Sequence, residues 1–145
     1  MHRMKRFVFD TDVIVSAMRS PSGASAALVE AALDGYVAML ASVPLFFEYQ
    51  AKCGSSLHWK AAGLSQEEAH IYVSGLAAII EPVTTYYLWR PMLRDPNDEM
   101  ILEVAVNGHA DAIVTFNLRD FGKTPQTFGI ETINPSVALA RIRHA

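Results

Sequence analysis

Phe7-Val8-Phe9-Asp10-Thr11-Asp12 is a short apolar run that stops on an acid, and its reading decides the fold. Consecutive apolar residues suit a strand buried on both faces, so the spacing predicts a strand over 7–10 whose last residue, Asp10, emerges at a sheet edge. Outward from it, Ala27, Leu28, Ala31 and Ala32 recur at helical spacing, predicting a helix over 24–34 stopped by Gly35 and then a strand over 36–41. Ser42 can cap a helix to about Cys53, with Pro44 in its first turn, Glu48 inside it and Gly54 past its end. Residues 55–64 read equally as helix or loop. Ser65-Gln66-Glu67-Glu68 is a capping box, in which Ser and Glu side chains exchange hydrogen bonds with exposed amides, and it opens a helix to about Ile80. Glu81 to Tyr87 is β-branched and aromatic, as a strand would be. Asp95-Pro96-Asn97-Asp98 opens a further helix ended by Gly108; strands are expected over 112–116 and 130–133, and a last helix from Asn134-Pro135.

Strands alternating with helices predict an α/β protein, a three-layer α/β/α sandwich around a parallel sheet of four to five strands. Such sheets collect ligands beyond the carboxyl ends of their strands, where the strand order reverses. The residues just after the first and fourth strands are therefore the place to look for chemistry.

The chain has 145 residues, of which 51% are hydrophobic and 19% charged, which suits one globular domain over 1–145 and excludes a disordered chain. Uncharged stretches such as 35–47 and 69–80 fall short of the roughly 20 apolar residues a spanning helix needs. The opening Met-His-Arg-Met-Lys-Arg imitates an export signal, but Asp10 and Asp12 interrupt what would be its hydrophobic segment. A single cysteine, Cys53, makes no internal disulfide, and five scattered histidines offer no metal-ligand spacing. A cytoplasmic protein is expected. The formal charge of −3 does not advertise nucleic-acid binding, so any such binding must rest on local charge.

The acids are the informative set. Asp10 and Asp12 follow the first strand, Glu48 lies on the helix after the second, Asp95 and Asp98 open the helix before the fourth, and Thr115, Asn117 and Asp120 follow that strand. The predicted winding brings them to one end. Several carboxylates in one cleft do not all stay ionised unless a cation sits among them, and oxygen-only ligands suit Mg²⁺ or Mn²⁺, which activate water against a phosphate. Two bound divalent ions would bring the formal charge from −3 to +1.

Phe7-Val8-Phe9-Asp10-Thr11-Asp12-Val13-Ile14-Val15-Ser16-Ala17 resembles the opening of PIN-domain nucleases. Asp98-Glu99-Met100-Ile101-Leu102-Glu103-Val104-Ala105 with Ala112-Ile113-Val114-Thr115 resembles their second half. The likeness runs from about residue 6 to 135, and the chain looks most like toxin components of bacterial toxin–antitoxin pairs, the VapC-like group. The resemblance implies a metal-dependent ribonuclease that cuts single-stranded RNA, with Asp10, Glu48 and Asp98 as metal ligands. It also implies an antitoxin partner and a homodimer. Two positions depart from the family pattern: Asp12 stands where Asn is usual, and Asn117 where a fourth acid is common. Some toxin members carry Asn there and an acid three residues on, which is Asp120 here.

Other readings compete at each position. Asp10 and Asp12 suit helix caps, Glu48 a solvated helix stripe, Asp95 a cap, Asp98 a complement to the helix dipole and Asp120 a turn. Thr115 ends a strand and is either core or a hydroxyl that orients a metal-bound water. Arg19, Arg119 and Lys123 fall on loops at the acidic end, where they would hold an RNA backbone or simply face solvent. Phe46, Phe47, Tyr49, Tyr86, Tyr87 and Trp89 would stack bases, although packing explains them as well. Arg141-Ile142-Arg143-His144 reads as a solvated helix end. Two whole-protein alternatives follow: a haloacid-dehalogenase-like phosphotransferase with Asp10 as nucleophile, or a catalytically silent PIN domain that binds RNA or protein.

Overall fold

A computed structural model describes residues 3–86 and 92–143. The order of elements is β1 (Lys5–Phe9), α1 (Thr11–Arg19), α2 (Ala24–Leu33), β2 (Val37–Ala41), α3 (Val43–Cys53), α4 (Ser56–Ala61), α5 (Gln66–Ile79) and β3 (Ile80–Pro82). After these come α6 (Pro96–Asn107), β4 (Ala112–Val114), α7 (Leu118–Phe121), α8 (Thr124–Thr127), β5 (Glu131–Ile133) and α9 (Pro135–Arg143).

The five strands form one all-parallel sheet in the order β3-β2-β1-β4-β5. The chain winds outward from β1 through β2 to β3, then crosses back and continues through β4 to β5. The order therefore reverses between β1 and β4, and the crevice at their carboxyl ends is the topological switch point. Phe7, Val8 and Phe9 are all buried, as are Met39, Leu40 and Ala41 and then Ala112, Ile113 and Val114. Successive strand residues point to opposite faces, so both faces of the sheet are covered and the three-layer α/β/α arrangement holds.

Local chemistry sets most element ends where the sequence places them. Ser42 Oγ accepts from the Leu45 N–H at 3.2 Å, and the Ser65–Glu68 box closes in both directions at 2.9 and 3.1 Å. Gly108 caps the end of α6, and space requires glycine there: a Cβ would lie 2.9 Å from the Val104 carbonyl, 3.0 Å from Val83 and 3.1 Å from Leu40. The left-handed residue that turns the chain is the next one, His109, at φ 53°.

Four expectations are corrected. Residues 11–19, to which the sequence assigns no element beyond offering Asp10 and Asp12 as caps, form a helix; Val13, Ile14 and Val15 are β-branched, and burial of Val13, Ile14, Ala17 and Met18 at helical spacing overrides that preference. Asp10 is consequently the N-cap of α1 and not the end of β1. The third strand covers Ile80–Pro82 only; Pro82 has no N–H to donate, and β3 is an edge strand, where proline is tolerated. The fourth strand stops at Val114, and two short helices that the sequence reading did not foresee, α7 and α8, follow it. The ambiguous 55–64 segment contains α4. Tyr87, Trp89 and His144 lie outside the described residues.

Candidate active site

The crevice between β1 and β4 is held shut by hydrogen bonds that converge on Asp10. Its N–H donates to the Val114 carbonyl at 2.9 Å, its Oδ1 accepts from the Thr11 N–H at 2.7 Å, and its Oδ2 accepts from the Thr115 hydroxyl at 2.7 Å. Thr115 is fully buried, and its Oγ1 also accepts the Asn117 N–H at 2.9 Å. The hydroxyl proton is thus committed to Asp10. Thr115 joins Asp10 to the loop that carries Asn117.

Asp12 is drawn to the same loop. Its Oδ2 accepts from the Phe116 N–H and from Asn117 Nδ2, each at 3.1 Å, while its Oδ1 is buried without a partner. Asn117 therefore serves this site as a donor that clamps Asp12. Asp95 caps α6 through the Asn97 N–H at 2.8 Å, leaving Asp98 one turn in at the same positive helix end.

The electrostatics show which acids meet. Burial raises the Asp10 carboxyl, the hydrogen bonds from Thr115 and Thr11 pull it back, and Asp120 and Asp95 push it up again. Burial lifts Asp98 from 3.8 to about 6, helped by Asp10, Asp95 and Asp120. Burial and the neighbouring Asp10 lift Asp12 to about 6 as well. Five aspartates from three separate stretches of chain thus repel one another at one end of the sheet. Asp95, Asp98 and Asp120 line a cavity of about 420 Å³ whose rim carries Arg94 and Arg119.

Glu48 stands apart from this set. It is half-buried on α3 and is not among the charges that shift Asp10, Asp12 or Asp98. Its neighbour Tyr49 is completely buried and donates its hydroxyl to the Phe9 carbonyl, which ties α3 to the end of β1 beside Asp10. Arg19 is exposed at the end of α1, and Lys123 is exposed just before α8. Phe46 and Phe47 meet as a tilted pair 6.5 Å apart.

Among the described residues, no three His, Cys, Asp or Glu side chains stand close enough to hold a metal ion as they are placed. The donor chemistry nonetheless suits a hard cation. The acids offer only oxygen, burial raises the carboxyl groups of three of them, Asp10, Asp12 and Asp98, and Asp12 presents a buried oxygen that nothing satisfies.

The sequence leaves Asp12 open between an added charge at the site and a helix cap, and does not single out Arg94 or the anchoring role of Glu99. Glu99 is buried and accepts the Met92 N–H at 3.0 Å and the Leu93 N–H at 2.8 Å, fixing the strap that leads into Arg94 and Asp95. A buried acid in the first turn of an apolar helix was the available signal.

Fold and site together define a class: parallel α/β domains that gather carboxylates at the switch point of the sheet. A PIN domain profile matches residues 6–119, and the chain belongs to the PIN domain family. Among solved structures, it superposes with a TM-score of 0.62 on a chain of VapBC2 from Rickettsia felis, crystallised bound to a DNA fragment from the promoter of that pair. The two are 15% identical, over 89% of this chain and 98% of the other. No curated protein matches the chain. The family match leaves the phosphotransferase alternative without support. Among the described residues, no helix is long and apolar enough to cross a membrane.

Proposed function

We propose that this protein is a Mg²⁺- or Mn²⁺-dependent endoribonuclease that hydrolyses phosphodiester bonds in single-stranded RNA, and that it is the cytoplasmic toxin of a toxin–antitoxin pair. The observation that carries the reading is the meeting of Asp10, Asp98 and Asp120 at the switch point, where burial and the neighbouring aspartates raise the carboxyl groups of Asp10 and Asp98. Asp10, Glu48, Asp98 and Asp120 would hold the ion. When bound, it would supply an activated water and shield the charge that develops on the phosphoryl oxygens.

The chain's own residues prepare that chemistry. Thr11 and Thr115 fix both oxygens of Asp10, and Tyr49 anchors the helix that carries Glu48. Asn117 steadies Asp12 beside them. Arg119 and Arg94 stand at the rim, where cations meet a phosphate backbone, and Lys123 would be a further contact to it. The resemblance to toxins supports a protein antitoxin and a homodimer as partners, and the VapBC2 likeness adds support for the antitoxin alone.

The test incubates purified protein with Mn²⁺ and single-stranded RNA beside Asp10→Ala and Asp98→Ala. Cleavage by the native protein alone is expected. Equal cleavage by all three would place the activity elsewhere, and cleavage by none would favour the silent binding domain.

A further inference from the structure

A second cavity of about 540 Å³ adjoins the acid cluster and is absorbed by nothing above. Its floor is the outward face of α1, where Thr11, Asp12, Val15, Ser16 and Arg19 recur at helical spacing. Lys52 at the end of α3, His58 on α4 and Phe116, 53% exposed, line the rest of it. The volume lies within the range of pockets that enclose a small ligand.

The charges in it are sorted. Asp12 stands at the end that touches Asp10, while Arg19 lies seven residues along the helix, about 10 Å away at 1.5 Å per residue. Neither Arg19 nor Lys52 forms an ion pair with a carboxylate among the described residues. Arg19 Nη1 lies 3.3 Å from His58 Nδ1. A guanidinium has no acceptor and keeps its protons, so His58 Nδ1 must accept and Nε2 must carry the ring hydrogen. Arg19 and the His58 N–H donor therefore share the end remote from the acids, Lys52 lines the same cavity, and an exposed aromatic face lies on the wall.

We propose that this cavity binds the nucleotide next to the scissile phosphate of a single-stranded nucleic acid. Its phosphate lies on Arg19, Lys52 and His58 Nε2–H, and its base lies against Phe116. The assignment rests on the nuclease reading for the phosphate at the acid end. A divalent ion there and Arg19 at the far end are two points of positive charge, and a nucleoside spans what lies between. Exposed Phe116 suits a base of any sequence, because every base offers a π face.

The test is binding, kept separate from cleavage. A short fluorescein-labelled single-stranded RNA is titrated by anisotropy in EDTA against the native protein, Arg19→Ala, Lys52→Ala, Arg19→Lys, Phe116→Ser and Phe116→Tyr. A polyglutamate peptide serves as a competitor without bases. Arg19→Ala and Lys52→Ala are expected to weaken binding several-fold and to lower the salt slope by about one each. Phe116→Ser should weaken it roughly five-fold or more with the slope unchanged. Arg19→Lys should keep the slope and Phe116→Tyr the affinity, which separates these effects from misfolding.

Native affinity and slope in Arg19→Ala, Lys52→Ala and Phe116→Ser would overturn the proposal while leaving cleavage in Mn²⁺ to stand. Equal competition by polyglutamate would overturn the nucleotide assignment in favour of an acidic protein segment. Binding that depends on Arg19, without cleavage in any ion, would uphold the cavity and overturn the nuclease reading. Absence of any binding in EDTA and in Mn²⁺ would overturn both.

Discussion

Replacing Asp98 by Asn should stabilise the fold while removing its response to metal. In the folded protein, burial and three neighbouring aspartates raise the Asp98 carboxyl from 3.8 to about 6. At 1.36 kcal/mol per pH unit this shift would cost ~3 kcal/mol in a fully buried site. Asp98 is only half-buried, and screening reduces the cost to ~1 kcal/mol. Loss of a negative charge at the amino end of α6 returns about 0.3 kcal/mol. The net gain of ~0.7 kcal/mol corresponds to about 2 °C in Tm for a chain of this size. The sign follows from linkage. A carboxyl raised in the folded state favours folding below its unfolded pKa, and that advantage is lost as pH rises through the folded value. Asp98→Asn should therefore be the more stable protein near pH 7.5 in EDTA and gain nothing near pH 4. With Mn²⁺ at about 100 times its Kd, the native protein should gain about 2.7 kcal/mol and the variant far less. Thermal melts in EDTA and Mn²⁺ across this pH range provide the measurement. A variant less stable than the native protein near pH 7.5, or one with an undiminished Mn²⁺ response, would refute the electrostatic account of the site.

Thr115→Val keeps the shape but strands Asp10 Oδ2 and the Asn117 N–H, and should cost about 1–3 kcal/mol in urea unfolding together with activity, whereas Thr115→Ser should restore both. Tyr49→Phe removes a buried donor from the Phe9 carbonyl; a loss of about 1 kcal/mol is expected, with a fall in Mn²⁺ affinity measured by calorimetry if α3 positions Glu48. Glu99→Leu leaves the Met92 and Leu93 amides without their acceptor, and faster amide exchange at those two positions should accompany a loss of about 2 kcal/mol. Gly108→Ala pushes a methyl group against the Val104 carbonyl and Leu40, and should lower stability by about 1–3 kcal/mol in the same unfolding assay.

The sheet was legible because its strands are short apolar runs and its longer helices carry their own caps. Ser65-Gln66-Glu67-Glu68 and Asp95-Pro96 act within one turn, so neighbouring residues contain the whole signal. Helix α1 was hidden because Val13-Ile14-Val15 favours a strand locally, and only packing against the rest of the core reverses that preference. Asp10 and Asp98 could be proposed as partners from topology. The place of Asp12 could not, since an acid after a strand is as good a cap as a ligand; its orientation comes from Phe116 and Asn117, which lie more than 100 residues away. Lys52 and His58 escaped for a related reason: each is an ordinary helix-surface residue until α1 runs past it.

The hydroxyl that meets Asp10 belongs to a residue 105 positions further along the chain. Closing so long a loop is entropically costly and comes late, and during synthesis the amino-terminal portion emerges first. A ribosome-bound chain that has not yet released β4 thus has no assembled acid pocket, and a prematurely terminated product never acquires one. The winding of the sheet thus ties the acid pocket to the synthesis of most of the chain.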